Sequence, residues 1–186
     1  MNDDIKQATE ALRAGGIIVY PTDTIWGLGC DASNREAVAK FYALKQREDS
    51  KSMLVLLQSE NLLPSYIKEV PDVAWELIEA AVDPLTIIYP GAKNFAENLL
   101  ADDGSIGIRI TDDEFCIRLL DRFRKPIVSS SANISGRPSP SNFDEIEAEI
   151  LEQADYVVKW RQEDQSRSKA SSIIKLGTGG EINIIR

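Results

Sequence analysis

Apolar positions along this chain recur with two different periods. From residue 3 to 14, Ile5, Ala8 and Leu12 share one face of a 3.6-residue repeat. Asp3 or Asp4 stands where a cap is needed and Gly15-Gly16 closes the run, so the spacing predicts a helix. Residues 35–46 repeat that period through Val38, Phe41, Tyr42 and Lys45, and further helices are predicted near 72–81, 113–122 and 143–151. Between them lie short apolar runs that read as strands: 17–20, 52–57 ("SMLVLL"), 85–90 ("LTIIYP"), 105–110 ("SIGIRI"), 126–130 ("PIVSS"), 155–158, 171–176 and 181–186. Such interleaving predicts an α/β (or α+β) fold, one domain over residues 1–186 with a central, largely buried mixed sheet. No internal repeat or low-complexity segment is present, and the charged, aperiodic run "KWRQEDQSRSKA" at 159–170 is expected to be a mobile loop.

Composition narrows the class. At 186 residues the chain is long enough to bury roughly 70% of its unfolded surface. Its 43% hydrophobic and 27% charged residues suit a globular protein, and no apolar run nears the ~20 residues of a membrane span. The acidic, amphipathic start "MNDDIKQATEALRAGG" matches neither a secretory signal nor a transit peptide, so a cytoplasmic location and no membrane partner are expected. Cys30 and Cys116 lack metal-ligand spacing and are expected as buried thiols. The absence of histidine removes imidazole-based catalysis and the commonest metal ligand. A net charge of -9 disfavours nucleic-acid binding unless basic groups gather locally.

Several stretches carry candidate chemistry. In "YPTDTIWGLGCD", residues 20–31, a strand is expected to end at Pro21 and the chain to turn through Gly27 and Gly29, leaving threonine hydroxyls and backbone N–H groups at the sheet end. Gly-Leu-Gly lacks the third glycine of a dinucleotide loop, and an ordinary polar turn remains an alternative. "LKQREDSK" puts Lys45, Arg47 and Lys51 at a helix C-terminus, where cations serve either the dipole or a phosphate. "PIVSSSANISGRPSPS" offers Ser129, Ser130, Ser131 and Asn133 after an apolar strand, as hydrogen-bonding groups, since no histidine can activate them. "SIGIRIT" places Arg109 in a strand suited to burial, which is unfavourable unless it meets an anion. "ASSII" adds Ser171 and Ser172 at a strand start. Together these form a plausible lining for a phosphate- and carboxylate-bearing ligand.

In order and spacing, "YPTDTIWGLGCDA", "KQR" followed by "SK", "SIGIRIT" and "SSSANISGRPSP" resemble the YrdC/TsaC family of threonylcarbamoyl-AMP synthases, from about residue 5 to 186. The resemblance implies a twisted sheet with a large concave, positively lined cavity. It also implies synthesis of L-threonylcarbamoyladenylate and pyrophosphate from L-threonine, bicarbonate or carbon dioxide, and ATP, with Mg²⁺ accompanying the nucleotide. The product would serve tRNA modification, with tRNA and tRNA-modification proteins as possible partners.

By position, the family pattern puts Thr24, Arg109, Ser129 and Ser172 around threonine. Lys45, Arg47, Lys51, Ser105, Ser131, Asn133, Ser139 and Arg186 would face ATP or the bicarbonate, with Lys45, Arg47, Ser131 and Asn133 as the catalytic group. Three positions depart from the pattern: Glu48 replaces a proline, Ser171-Ser172-Ile173-Ile174-Lys175 ends in a base where an acid is usual, and Leu56 stands where some relatives have histidine. Longer family members carry an extra C-terminal domain, so closure of the cavity is expected to fall to the loop near 159–170. Two alternatives are an RNA-binding module without turnover, including one for double-stranded RNA, and a related enzyme handling carbamoyl-adenylate.

Overall fold

The computed structural model describes residues 1–46, 53–166 and 170–186. Helix α1 (Asn2–Arg13) buries Ile5, Ala8 and Leu12, and the chain leaves it through Gly15 in the left-handed region, φ +76°. Its predicted aspartate cap is not formed. Asp4 instead accepts from the Tyr156 hydroxyl and the Lys159 N–H, because a first-turn carboxylate can serve another element as well as its own helix. Helix α2 (Arg35–Lys45) is capped by Asn34, whose side chain accepts from the N–H groups of Glu36 and Ala37, and it buries Val38, Phe41, Tyr42 and Lys45. Helices α3 (Leu63–Tyr66), α4 (Asp72–Ala80), α5 (Glu114–Phe123) and α6 (Ala148–Gln153) follow. The predicted helix 143–151 divides into a single turn at Phe143–Glu145 and α6, separated by an extended Ile146.

The strands are β1 (Ile18–Tyr20), β2 (Gly27–Asp31), β3 (Leu54–Leu57), β4 (Leu85–Tyr89), β5 (Ile106–Ile110), β6 (Ile127–Ser131), β7 (Tyr156–Val157), β8 (Ser172–Leu176) and β9 (Ile182–Ile184). They form one mixed sheet in the order β7-β1-β2-β6-β3-β5-β4-β8-β9. The expected α/β architecture is therefore present. The stretch 27–31 is a strand and not the turn expected of it, buried throughout between β1 and β6. Its glycines hid it, since Gly in a strand interior marks close approach of other groups as often as it marks a bend.

Register divides the sheet into two chemical faces. Leu28, Cys30, Val55, Leu57, Ile87, Ile108 and Val128 alternate onto one of them and are all buried. The other face carries Gly27, Ser129, Leu54, Gly107, Arg109 and Thr86, which the pairings place in adjacent rows. Helix α1 packs on β1, β2, β7 and α5, and α2 packs on β2. Cys30 and Cys116 are free, buried thiols. Among the described residues, no helix is long and apolar enough to cross a membrane.

Candidate active site

The polar face of the sheet floors a cavity of about 270 Å³, lined among others by Thr22, Thr24, Gly27, Leu54, Thr86, Gly107, Arg109, Ser129, Ser131, Ser139, Ser171 and Arg186. The sequence suggested a site at strand ends. The structure puts it over the strands themselves, where Gly27 and Gly107 leave the floor without side chains. A Cβ on Gly107 would stand 3.4 Å from both Leu54 and Thr86.

Arg109 is 3% exposed, and its guanidinium reaches two groups of the 21–26 loop. Nη1 donates to Thr24 Oγ1 at 3.0 Å and Nη2 lies 3.1 Å from Asp23 Oδ1. The Asp23 contact is an ion pair without hydrogen-bond alignment: Asp23 Oδ1 and Arg109 Nε are both buried with no hydrogen-bond partner. Burial raises the Asp23 carboxyl above its ordinary range, Arg109 pulls it back, and Asp113 and Asp112 add to the rise. Thr24 Oγ1 lies 3.0 Å from Thr22 Oγ1, which in turn donates to the carbonyl of Ile25 at 2.8 Å. The guanidinium is thus anchored by the 21–26 loop, and its terminal nitrogens, with two N–H groups each, keep donors beyond these contacts.

At a second point two distant segments meet. Lys45, 2% exposed at the end of α2, donates through Nζ to the backbone oxygen of Ser131 at 2.6 Å and, at 3.5 Å, to Asn133 Oδ1. Ser131 Oγ donates to the same Oδ1 at 2.5 Å. The amide nitrogen of Asn133 donates to the carbonyls of Ile134 (3.1 Å) and Arg137 (2.6 Å). Asn133 therefore ties down the turn after β6, while Ser131 borders the cavity. Arg47 and Lys51 lie outside the described residues.

The remaining expected positions separate. Ser129 and Ser139 line the cavity, as does Arg186, whose Nε and Nη2 donate to the carbonyl of Ser171 at 3.2 and 2.9 Å. Ser172 does not line it: β8 starts one residue out of step with the expectation, so Ser171 is buried toward the cavity and Ser172 is exposed on the opposite side. Ser171 Oγ shares a 2.8 Å hydrogen bond with Thr86 Oγ1. Ser105 is buried, but its hydroxyl donates to Asp103 Oδ1 at 2.5 Å and does not line the cavity. Sequence reasoning missed Thr86 and Gly107, and offered Thr22 only as one of the threonine hydroxyls of the 20–31 stretch. Thr86 and Gly107 are recognisable only through the register that sets Thr86 opposite Arg109 and Gly107 opposite Leu54.

A smaller cavity of about 120 Å³ adjoins, lined by residues 21–26, Ser141, Arg161, Asp164 and Ser166. Arg161 donates to Asp113 at 2.6 Å, so the first part of the 159–170 run is fastened beside the 21–26 loop. Residues 167–169 of that expected mobile loop lie outside the described residues.

The profile of the Sua5/YciO/YrdC family, described as "Telomere recombination", matches residues 10–186. A threonylcarbamoyl-AMP synthase of Pseudoalteromonas translucida is 32% identical over 157 residues, 83% of this chain and 84% of that protein. The fold is similar to E. coli YciO, with a TM-score of 0.86 and 26% identity over 100% of this chain and 89% of that one. It is also similar to P. abyssi Sua5 complexed with L-threonine, with a TM-score of 0.86 and 24% identity. That alignment covers 98% of this chain and 53% of that one, so the chain spans about half the length of Sua5.

Proposed function

The chain belongs to the Sua5/YciO/YrdC family, and from that premise we propose that it makes L-threonylcarbamoyladenylate and pyrophosphate from L-threonine, bicarbonate or carbon dioxide, and ATP, for modification of tRNA adenosine beside the anticodon. One observation carries the reading: a buried arginine borders a hydroxyl-lined cavity on the family's fold. A guanidinium in that setting favours a carboxylate, and an α-amino acid brings one.

In this reading Arg109 receives the carboxylate of threonine, with Thr24, Ser129 and Ser171 around it. The amine of threonine adds to carbon dioxide and loses a proton, giving a carbamate. A carbamate oxygen then attacks the α-phosphorus of ATP as the bond to pyrophosphate breaks. No protein base is needed at phosphorus, which suits a chain without histidine. What the protein supplies is alignment, worth up to ~7–11 kcal/mol in favourable cases, and positive charge near the phosphoryl oxygens. Lys45, Ser131 and Asn133 form the phosphate end, joined in this proposal by Arg47, Lys51, Ser139 and Arg186.

Mg²⁺ enters as part of the nucleotide. Among the described residues, the side chains lining the cavity include hydroxyls and two arginines but no carboxylate. Among the described residues no group of three or more Cys, Asp or Glu could hold a metal ion. Protein-held Mg²⁺ sites use one or two carboxylates, so the described lining residues do not fit a resident ion, and the metal is assigned to the phosphates of ATP. A cytoplasmic location and transfer of the product to tRNA-modification proteins belong to the same proposal.

The test supplies purified protein with ATP, labelled bicarbonate and either threonine, serine or no amino acid, and reads pyrophosphate and product mass. Threonine-dependent release with label in a threonylcarbamoyl adduct of AMP is the expected result. Release of pyrophosphate with a carbamoyl compound supplied in place of threonine and bicarbonate, and none with threonine, would favour the related carbamoyl chemistry, and salt-sensitive tRNA binding without turnover would favour the RNA-binding module; either overturns the reading.

A further inference from the structure

Tyr20 ends β1, is fully buried, and pairs across the strands with Gly27 of β2. Its hydroxyl nevertheless donates to a side chain on the next strand but one: Tyr20 OH to Ser129 Oγ on β6, 2.8 Å. To get there the ring must cross β2. A Cβ on Gly29 would come within 2.8 Å of the ring edge at Cε1, and one on Gly27 within 3.4 Å. Gly29 lies directly opposite Ser129 in the register. The two glycines therefore form a notch through which the ring passes, and an alanine at 29 would occupy the space the ring now fills.

Ser129 lines the cavity, and its hydroxyl has one proton and two lone pairs. With one lone pair taken by Tyr20, its proton is left for an acceptor in the cavity. Because burial lifts the Tyr20 phenol far above its ordinary range, that donor does not ionise.

We propose that Tyr20 is a positioning residue for the amino-acid substrate: reaching across the Gly27–Gly29 notch, it orients Ser129 so that the serine hydroxyl donates to the bound threonine. This rests on the function proposed above and extends it to a residue that does not line the cavity. Since the bond is made to the amino acid and not to the phosphates, its loss affects one substrate only.

The test is a double-mutant cycle of Tyr20→Phe, Ser129→Ala and the pair, with KM for threonine, KM for ATP and kcat measured for each. Tyr20→Phe is expected to raise the KM for threonine about three- to tenfold, the effect of one hydrogen bond, with kcat and the KM for ATP within twofold of the parent. The double variant is expected to match Ser129→Ala, because Tyr20 acts only through that hydroxyl. Effects that multiply, or that fall equally on ATP and kcat, would show Tyr20 to be packing alone and overturn the proposal. Melting temperatures guard against a Phe variant that does not fold: Ser129→Ala leaves the buried phenol without its acceptor and should melt below the parent. An unchanged melting temperature would overturn the proposal from the other side. An inactive parent enzyme would instead strike at the proposed function, so the two failures are distinguishable.

Discussion

A guanidinium buried in the middle of a sheet has lost its hydration, and such a charge persists only where fixed partners replace the water. At Arg109 the replacement is partial: Thr24 takes one N–H of Nη1, Asp23 gives Nη2 an ion pair without a hydrogen bond, and Nε has no partner. The remaining N–H groups of the terminal nitrogens are what a substrate carboxylate would satisfy, so Arg109→Lys is an informative change. Lysine keeps the charge opposite Asp23 and loses the planar fork. The expected outcome is a rise of roughly 10- to 100-fold in the KM for threonine, about 1.5–3 kcal/mol, with the fold retained and the KM for ATP little altered. Equal threonine affinity in the two proteins would remove Arg109 from the site. The charge on Arg109 was legible in the sequence because an arginine interrupts an apolar strand. The choice between Ser171 and Ser172 was not, since it depends on which of two adjacent residues faces the cavity, and two serines in a row carry no alternation.

At the level of elements, hydrophobic period located the strands and helices to within a few residues where the apolar run was continuous, as in β3, β4 and α5. It failed at β2, where Gly27 and Gly29 take the place of the side chains that would have declared a strand, for a reason visible only when the Tyr20 ring is seen lying over them. The turn before β5 shows a second kind of detail that spacing does not carry. Asp103 receives a hydrogen bond from Lys175 of β8 (2.6 Å) and two from Ser105, which together lower its carboxyl from 3.8 to about 2. A carboxyl lowered by folding contributes stability that is present above its unfolded value and lost as pH falls through the folded one. Ser105→Ala should therefore melt below the parent protein at pH 7, with the deficit shrinking between about pH 4 and pH 2. Because the Asp103 side chain is half exposed, the effect should be small and weaken in salt. A deficit that stays constant down to pH 2 would assign the loss to packing at Ser105 and not to Asp103.

On the scale of the whole molecule, a chain with a net charge of -9 directs Arg109 and Arg186 into one cavity in which no lining side chain among the described residues is a carboxylate. Long-range potential repels nucleic acid while the local field suits a small anion, and this contrast favours an enzyme of small substrates over an RNA-binding surface. The segments that build the cavity, 22–27, 53–54, 86–88, 107–109, 129–131 and 170–173, are separated by up to about 150 residues and meet because β2, β6, β3, β5, β4 and β8 are neighbours in one sheet. Their residue types were readable one by one. Their meeting on a face of the sheet was not, because strand order is set by pairings among distant segments and leaves no local trace. The most direct measurement is a crystal structure of the protein with L-threonine bound. The account predicts the carboxylate of threonine on the Arg109 guanidinium, with Ser129 within hydrogen-bond distance of the amino acid. Threonine bound elsewhere, with its carboxylate away from the Arg109 guanidinium, would contradict it.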